Sequence, residues 1–262
     1  MHKITAVVIT YNEEARIAQC IHSLISVADE IIVVDSYSTD TTSVQCKNFG
    51  VLRFIEHPFE GYGAQKNFGI EQASNDLILS LDADEVLSDS LIESIKTLKN
   101  KSTLFDAYFC NRLNNYCGKW IRHGGWYPDK KLRLWDRRKG LWDDSPVHEC
   151  VKLDAGALVG VLNGDILHYS YASVTDHIRQ LNNYTDLSAK QMMIKGKRGT
   201  ICTALFRSIW KFIHDYCIKL GILDGYYGFV VAVISSFTTF LKYVKLVELR
   251  KCGVPSCKGN GV

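Results

Sequence analysis

The chain has 262 residues, 47% of them hydrophobic and 23% charged, which is enough apolar material for one large domain, alone or with an appendage, and excludes a disordered or fibrous chain. Its nine cysteines follow no regular spacing and no secretory signal precedes them, so a disulfide scaffold is excluded and a reducing compartment is expected. The net charge of +3 conceals an asymmetry: residues 1–100 carry 7 Lys and Arg against 15 Asp and Glu, whereas residues 101–262 carry 24 against 13. An acidic front suits a metal site, and a basic, aromatic back suits an anionic surface or a phosphorylated partner.

In chain order the first hundred residues read as strand then helix, repeated. Ile4–Thr10 is a β-branched apolar run, Asn12-Glu13-Glu14 opens a helix, and Ile17, Ile21, Leu24 and Ile25 follow at helical spacing. Glu30–Asp35 is a second strand, apolar enough to be buried on both faces, with a turn over Ser36–Asp40 and a helix from Thr41 to Phe49. Leu52–Glu56 is a third strand, Gly61–Gly63 a loop before a helix through Lys66 to Ala73, and Asp76–Leu81 a fourth strand running into Asp82-Ala83-Asp84-Glu85. Such alternation predicts a mainly parallel sheet covered on both faces. Past Lys101 the chain turns loop-rich, aromatic and basic, with strands at Ala107–Leu113 and Lys131–Trp135 around Trp120, Trp126 and Tyr127, as an acceptor-binding half requires. From Ser173 onward only helix is expected.

Ligands of such sheets bind at the carboxyl ends of the strands, which here are Thr10-Tyr11-Asn12-Glu13, Asp35 and Asp82/Asp84. Asp82 and Asp84 alternate after a buried strand and can share one hard divalent cation, the group needed to displace a diphosphate; they can equally cap the helix over Ser88–Lys99. Asp35 can accept hydrogen bonds from a base or ribose, or simply end its strand. Gly61 and Gly63 match neither dinucleotide nor P-loop spacing, and no zinc-finger, basic-arm or RNP pattern supports nucleic acid as a partner.

Taken in order, AVVITYNEE, IIVVDSYSTDTT, GYGAQKNFGIEQAS and DLILSLDADE resemble the nucleotide-sugar half of a family 2 glycosyltransferase of the GT-A type. The resemblance implies an α/β fold with a GT-A nucleotide-sugar-binding sheet, helices on both faces and a helical C-terminal extension. It implies a sugar nucleotide held at the nucleoside by Thr10, Tyr11, Asn12, Glu13 and Asp35, with Lys66 near the diphosphate or sugar and Asp82 and Asp84 at the sugar and metal. GGWYPDKKLRLWDRRKGLWDDSPVHE, ILHYSY and LDGYYGFVVAVISSFTTFLKYVKLVEL are similar to the bacterial lipopolysaccharide-core β-1,4-glucosyltransferase type. This implies transfer of one sugar, glucose from UDP-glucose, to a lipid-linked saccharide such as the lipopolysaccharide inner core. A hexosyl- or heptosyltransferase of capsule or O-antigen assembly, or an inactive glycan-binding module, are the alternatives. The Q-x-x-R-W signature of processive synthases is missing: Gln180-Leu181-Asn182-Asn183-Tyr184 has neither Arg nor Trp.

The expected organisation is a glycosyltransferase domain over 1–170, with a donor half to 100 and an acceptor half beyond it, and a helical, basic extension over 171–262. Asp84 is the expected main protein ligand of Mg²⁺ or Mn²⁺, with Asp82 nearer the sugar. His168 in ILHYSY is preferred to His148 as a second ligand, its alternative being a buried hydrogen-bonding residue. Glu149 is the expected catalytic base, preferred to Asp129, Asp143 and Asp144 because Ser145-Pro146-Val147-His148 can stiffen its approach and tune it, and the family resemblance favours the same position. No charge-free apolar run reaches 18 residues, Tyr226–Leu241 being interrupted by Ser235, Ser236, Thr238 and Thr239, so a spanning helix is not expected. A helix over Phe206–Leu220 carries an apolar stripe opposite Arg207, Lys211, His214 and Lys219, which either packs on the domain or lies on an anionic membrane surface. The expected location is cytoplasmic, peripheral on the inner face of the inner membrane. Cys252 and Cys257 are read as part of a flexible tail and the other cysteines as core filler.

Overall fold

The structure, a computed structural model, describes residues 1–50, 52–143 and 149–251. In chain order the elements are β1 (Ile4–Thr10), α1 (Ile17–Ile25), β2 (Glu30–Asp35), α2 (Thr42–Lys47), β3 (Leu52–Glu56), α3 (Tyr62–Glu71), β4 (Leu77–Asp82), β5 (Glu85–Leu87), α4 (Asp89–Lys99), β6 (Ala107–Tyr116), β7 (Lys119–Ile121), β8 (Asp129–Asp136), β9 (Gly140–Trp142), β10 (Val151–Leu153), β11 (Val159–Tyr171), α5 (Val174–Ile194), α6 (Ile201–Ile213) and α7 (Gly225–Lys251). They form two compact units: Met1–Asn114 with Asp129–Ser170, and Asn115–Pro128 with the chain from Tyr171 onward.

The first unit is a mixed sheet ordered β3-β2-β1-β4-β8-β6-β11-β5. β3, β2, β1 and β4 are parallel and β8 runs against β4. All of β1 is buried because both its faces are covered. Ile4, Ala6 and Val8 join Ile17, Ile21, Leu24, Leu91 and Ile95 of α1 and α4 in one core, while Val7 and Ile9 pack with Ile70 of α3, Trp135 and Trp142 in the other. Register fixes what matters for function. Thr10 pairs with Asp35 and Ile9 with Asp82, so three strand ends stand level. A Cβ on Gly69 would come within 2.5 Å of Val7 Cγ1, which shows how closely α3 lies on the sheet.

In the second unit α7 packs with α5 and α6. One small core joins Ala189, Ala204, Tyr243 and Leu246, and another joins Tyr116, Ile121 and Val231 with Trp126, Tyr171 and Tyr227. Two expectations change here. The helix expected over Phe206–Leu220 instead starts at Ile201, where the Thr200 side chain caps it by accepting from Thr203 N at 3.1 Å, and passes at His214 into a π turn. Of α6 only Ala204 and Ser208 are buried, and its apolar stripe faces outward. The stretch around Tyr226–Leu241 is one helix that is, by length and composition alone, long and apolar enough to cross a membrane. Its hydroxyls do not interrupt it because they bond to carbonyls: Ser236 Oγ to Ser208 O, Thr238 Oγ1 to Ile234 O and Thr239 Oγ1 to Ser235 O. The cysteines also divide, Cys20, Cys46 and Cys110 being core residues while Cys150, Cys202 and Cys217 are exposed; Cys252 and Cys257 lie outside the described residues.

Candidate active site

The first group of polar residues sits where β1 and β2 end. Asn12 adopts the left-handed region at φ 53°, which asparagine tolerates, and this aims its backbone N–H at Ser38 Oγ (2.8 Å) and lets its Oδ1 accept from Thr39 N (2.8 Å). Asp35 is 1% exposed and accepts from both the backbone N and the hydroxyl of Ser38. The loop after β1 and the loop after β2 are thus knitted together. Tyr11 and Tyr37 are exposed beside them, and Thr10 Oγ1 is buried with no hydrogen-bond partner among the described residues. Burial, then the neighbouring charges of Asp84 and Asp40, push the Glu13 carboxyl up to about 7.

The second group is a chain of alternating charge. From α3, the Lys66 Nζ stands 3.0 Å from Asp82 Oδ1 and 3.0 Å from Glu149 Oε1. Arg133 on β8 reaches the other Asp82 oxygen at 3.1 Å and Glu85 Oε1 at 2.7 Å. Arg112 on β6 continues from Glu85 (3.6 Å) to Asp129 (2.9 Å). The sequence therefore runs Glu149, Lys66, Asp82, Arg133, Glu85, Arg112, Asp129 in strict alternation. Burial alone would raise the Asp82 carboxyl, but Lys66 and Arg133 outweigh it and hold it well below the usual carboxylate range. The Trp142 ring lies 4.3 Å from Lys66 Nζ and 5.6 Å from the Arg133 guanidinium carbon, a cation–π wall for both.

Local structure explains how Glu149 reaches this chain. Asn67, next to Lys66, donates from Nδ2 to Trp142 O (3.0 Å) and accepts from Trp142 N (3.1 Å), clipping β9 to α3. β9 and β10 form an antiparallel pair, and beyond it Asp143 N donates to Cys150 O and Cys150 N to Asp143 Oδ1, each at 3.0 Å. Glu149 follows directly from that closure. The competing carboxylates are otherwise engaged: Asp129 with Arg112 and Lys131, Asp143 with Cys150. Asp144 and His148 lie outside the described residues.

Asp84 stands apart from Asp82. Its Oδ2 is 3.1 Å from His168 Nε2, while His168 Nδ1 is 2.7 Å from Asn114 Oδ1, which also accepts from Ser170 Oγ. Both ring nitrogens face acceptors, Asn114 Oδ1 and Asp84 Oδ2, with Ser170 Oγ 2.9 Å from Nδ1; a histidine held at Nδ1 by an outer partner and turned with Nε2 to a carboxylate can share a cation with that carboxylate. Among the described residues no cluster of three or more His, Cys, Asp or Glu could hold a metal. One carboxylate and one imidazole still fit a Mg²⁺ or Mn²⁺ that takes its remaining ligands from diphosphate and water. Asp82 and Asp84 thus do not share one partner: the first faces Lys66 and Arg133, the second His168.

Arg133, Glu85, Arg112 and Trp142 escaped the sequence reading. The sequence carried no signal for them: Glu85 and Arg133 lie in strands beside apolar residues, where a charged side chain reads as outward, yet both are buried. The aromatic loop assigned to the acceptor belongs to the second unit, where Arg122 N, His123 N and His123 Nδ1 all bond the Asp224 carboxylate.

A family model described as glycosyl transferase family 2 matches residues 5–162. An uncharacterized glycosyltransferase of Rickettsia typhi is 33% identical over 258 residues, covering 95% of this chain and 88% of its own. The lipopolysaccharide core biosynthesis glycosyltransferase LpsC of Rhizobium meliloti is 31% identical over 251 residues, covering 94% and 92%. Among solved structures, a mannosyltransferase of Pyrobaculum calidifontis in complex with GDP-mannose and Mn²⁺ superposes with a TM-score of 0.56 at 15% identity, covering 94% of this chain and 87% of that one, a likeness of fold.

Proposed function

The chain belongs to glycosyltransferase family 2, and on that premise we propose that it moves one glucose from UDP-glucose, with inversion, to a hydroxyl of a lipid-anchored glycan such as the lipopolysaccharide inner core. The observation that carries this reading is Lys66 standing 3.0 Å from both Asp82 and Glu149, which ties a proton acceptor to the strand-end carboxylates of the donor side. The LpsC relative supports the acceptor class, and the missing Q-x-x-R-W favours a single addition.

In this reading the knitted loops after β1 and β2 receive the nucleoside, with Thr10, Tyr11, Asn12, Glu13 and Asp35 at its edge. Asp84 and His168 hold the divalent cation. That cation supplies charge neutralisation of the departing diphosphate. Asp82, fixed by Lys66 and Arg133, accepts hydrogen bonds from the sugar, and Lys66 offers its ammonium toward diphosphate or sugar. Glu149 accepts the acceptor hydroxyl's proton. A carboxylate away from the cation pair suits that task, because metal binding weakens a base.

The second unit supports a peripheral position on the cytoplasmic face of the inner membrane. Ile201, Leu205, Phe206, Ile209 and Trp210 of α6 are exposed, the signature of a helix lying in an interface. α7 is tied to α5 through Lys245, which bonds Asn182, Thr185 and Asp186, so in this reading it stays with the other helices on the surface.

Calorimetry with a panel of sugar nucleotides and Mg²⁺ or Mn²⁺ tests the donor: UDP-glucose is expected to bind and its epimers not. Glu149→Gln is expected to keep donor binding and to lose transfer by about 10²-fold or more, the scale of a general base. Near-normal transfer by that variant removes Glu149 from the role.

A further inference from the structure

We propose that Arg207, Lys211 and Lys242 form a site for the phosphate group of a lipid head group, beside the ring of Tyr243. The inference rests on the reading above that the second unit works at a membrane. The Arg207 guanidinium carbon is 5.5 Å and the Lys242 Nζ 5.9 Å from the Tyr243 ring centroid, so α6 and α7 bring two cations to one ring. Lys211 lies one turn beyond Arg207 on α6.

Of the three, Lys211 has a carboxylate partner, Asp215 at 2.9 Å. No carboxylate pairs with Arg207 or Lys242 among the described residues. Three cations with one acid among them keep a net repulsion in the free protein, and an anion that binds among them turns it into attraction. Lys242 reports the strain: burial first, then Lys211, Arg207 and Lys197, push its ammonium below the ordinary lysine range. A guanidinium with converging ammoniums presents donors from several directions, as the oxygens of a phosphate require.

The same two helices identify the anion's carrier. α6 exposes Leu205, Phe206, Ile209 and Trp210, and α7 exposes Phe229 and Val233. At 3.6 residues per turn, Arg207 and Lys211 fall on the flank of α6 opposite Ile209 and Ile213. With the apolar faces in the acyl boundary, the cations face the head-group layer. An amphiphile with a phosphate satisfies both surfaces.

The test is flotation of the full-length protein with phosphatidylcholine vesicles, with and without phosphatidylglycerol, for Arg207→Gln/Lys242→Met and for the equal charge loss Lys195→Gln/Arg198→Gln. The cluster variant is expected to bind the anionic vesicles at least about tenfold more weakly than the control variant, since charge-assisted hydrogen bonds add to the general attraction that both lose. Its lipid-free melting temperature is expected to stay level or rise, because repulsion is relieved. Should it fall, Lys242→Met against Lys195→Gln makes the same comparison with one charge. Equal losses in cluster and control overturn the site and leave diffuse attraction. If the wild type binds neither vesicle, the membrane reading fails on its own. The site then stands if inorganic phosphate raises the melting temperature of the wild type and not of the cluster variant, and falls if it does not.

Discussion

Arg133 shows what single residues contribute here. It is 3% exposed, and its guanidinium stands between Asp82 and Glu85, so removing it leaves Asp82 with Lys66 alone and the buried Glu85 with only the longer contact to Arg112. Arg133→Met is expected to cost about 3–5 kcal/mol in urea unfolding, the usual consequence of breaking a buried pair from one side, and to weaken donor binding through the loss of Asp82's position. Asp84→Asn preserves size and removes charge; it is expected to abolish the metal dependence of donor binding in calorimetry, and unchanged metal titration would remove Asp84 from the cation site. A third residue senses acid. His177, 6% exposed, has its imidazole pushed down by burial to about 4, whereas the unfolded chain protonates it near its ordinary value of about 6.5. Unfolded chains therefore take up a proton that the fold refuses. Stability is full above the ordinary value and declines as pH falls toward the folded one, by up to about 3 kcal/mol. His177→Phe, which keeps the stack on Tyr171 (centroids 4.3 Å apart), is expected to lose less stability than the wild type when melts at neutral and acid pH are compared.

At the scale of elements, α3 is the lever of the site. Its Gln65 bonds Ser36 and His57, its Lys66 joins Asp82 to Glu149 and its Asn67 clips Trp142, so three consecutive side chains reach the ends of four strands, β2, β3, β4 and β9. That requires the helix to lie close, which Gly69 permits. Gly69→Ala is expected to destabilise by about 1–3 kcal/mol in chemical unfolding, the cost of overpacking against Val7 and Val34, and to lower transfer more than a surface change of equal stability. The parallel half of the sheet was legible in the sequence because β1, β2 and β4 are short, near-continuous apolar runs, rich in β-branched residues or bounded by helical segments, that stop on polar residues. Lys66 was legible by its motif. Arg133 and Glu85 were not, since a charged residue in a strand reads as an outward position until its partner, 48 residues away, is known. Nor could the outward turn of the α6 stripe be read, because an apolar face looks the same in sequence whether protein or lipid covers it.

For the whole molecule, charge and apolar surface are divided between the two units, and so is the expected behaviour. Full-length protein is expected to sediment with anionic vesicles and to release partly at high salt, because each Lys or Arg near the surface contributes roughly 1 kcal/mol that ions screen. The remainder should come from α6. Leu205→Ser/Ile209→Ser is expected to remove the salt-resistant fraction while leaving the melting transition of the first unit unchanged; vesicle binding unaltered by that variant would rule out insertion of this face. Separately, β11 contributes His168 from beyond the end of the family match at residue 162. A chimaera that exchanged relatives' donor modules at that boundary would inherit Asp84 while taking its imidazole and Ser170 from the other parent. Donor preference should therefore travel intact only in grafts carried through Ser170, which makes the unit of recombination longer than the segment the family model matches.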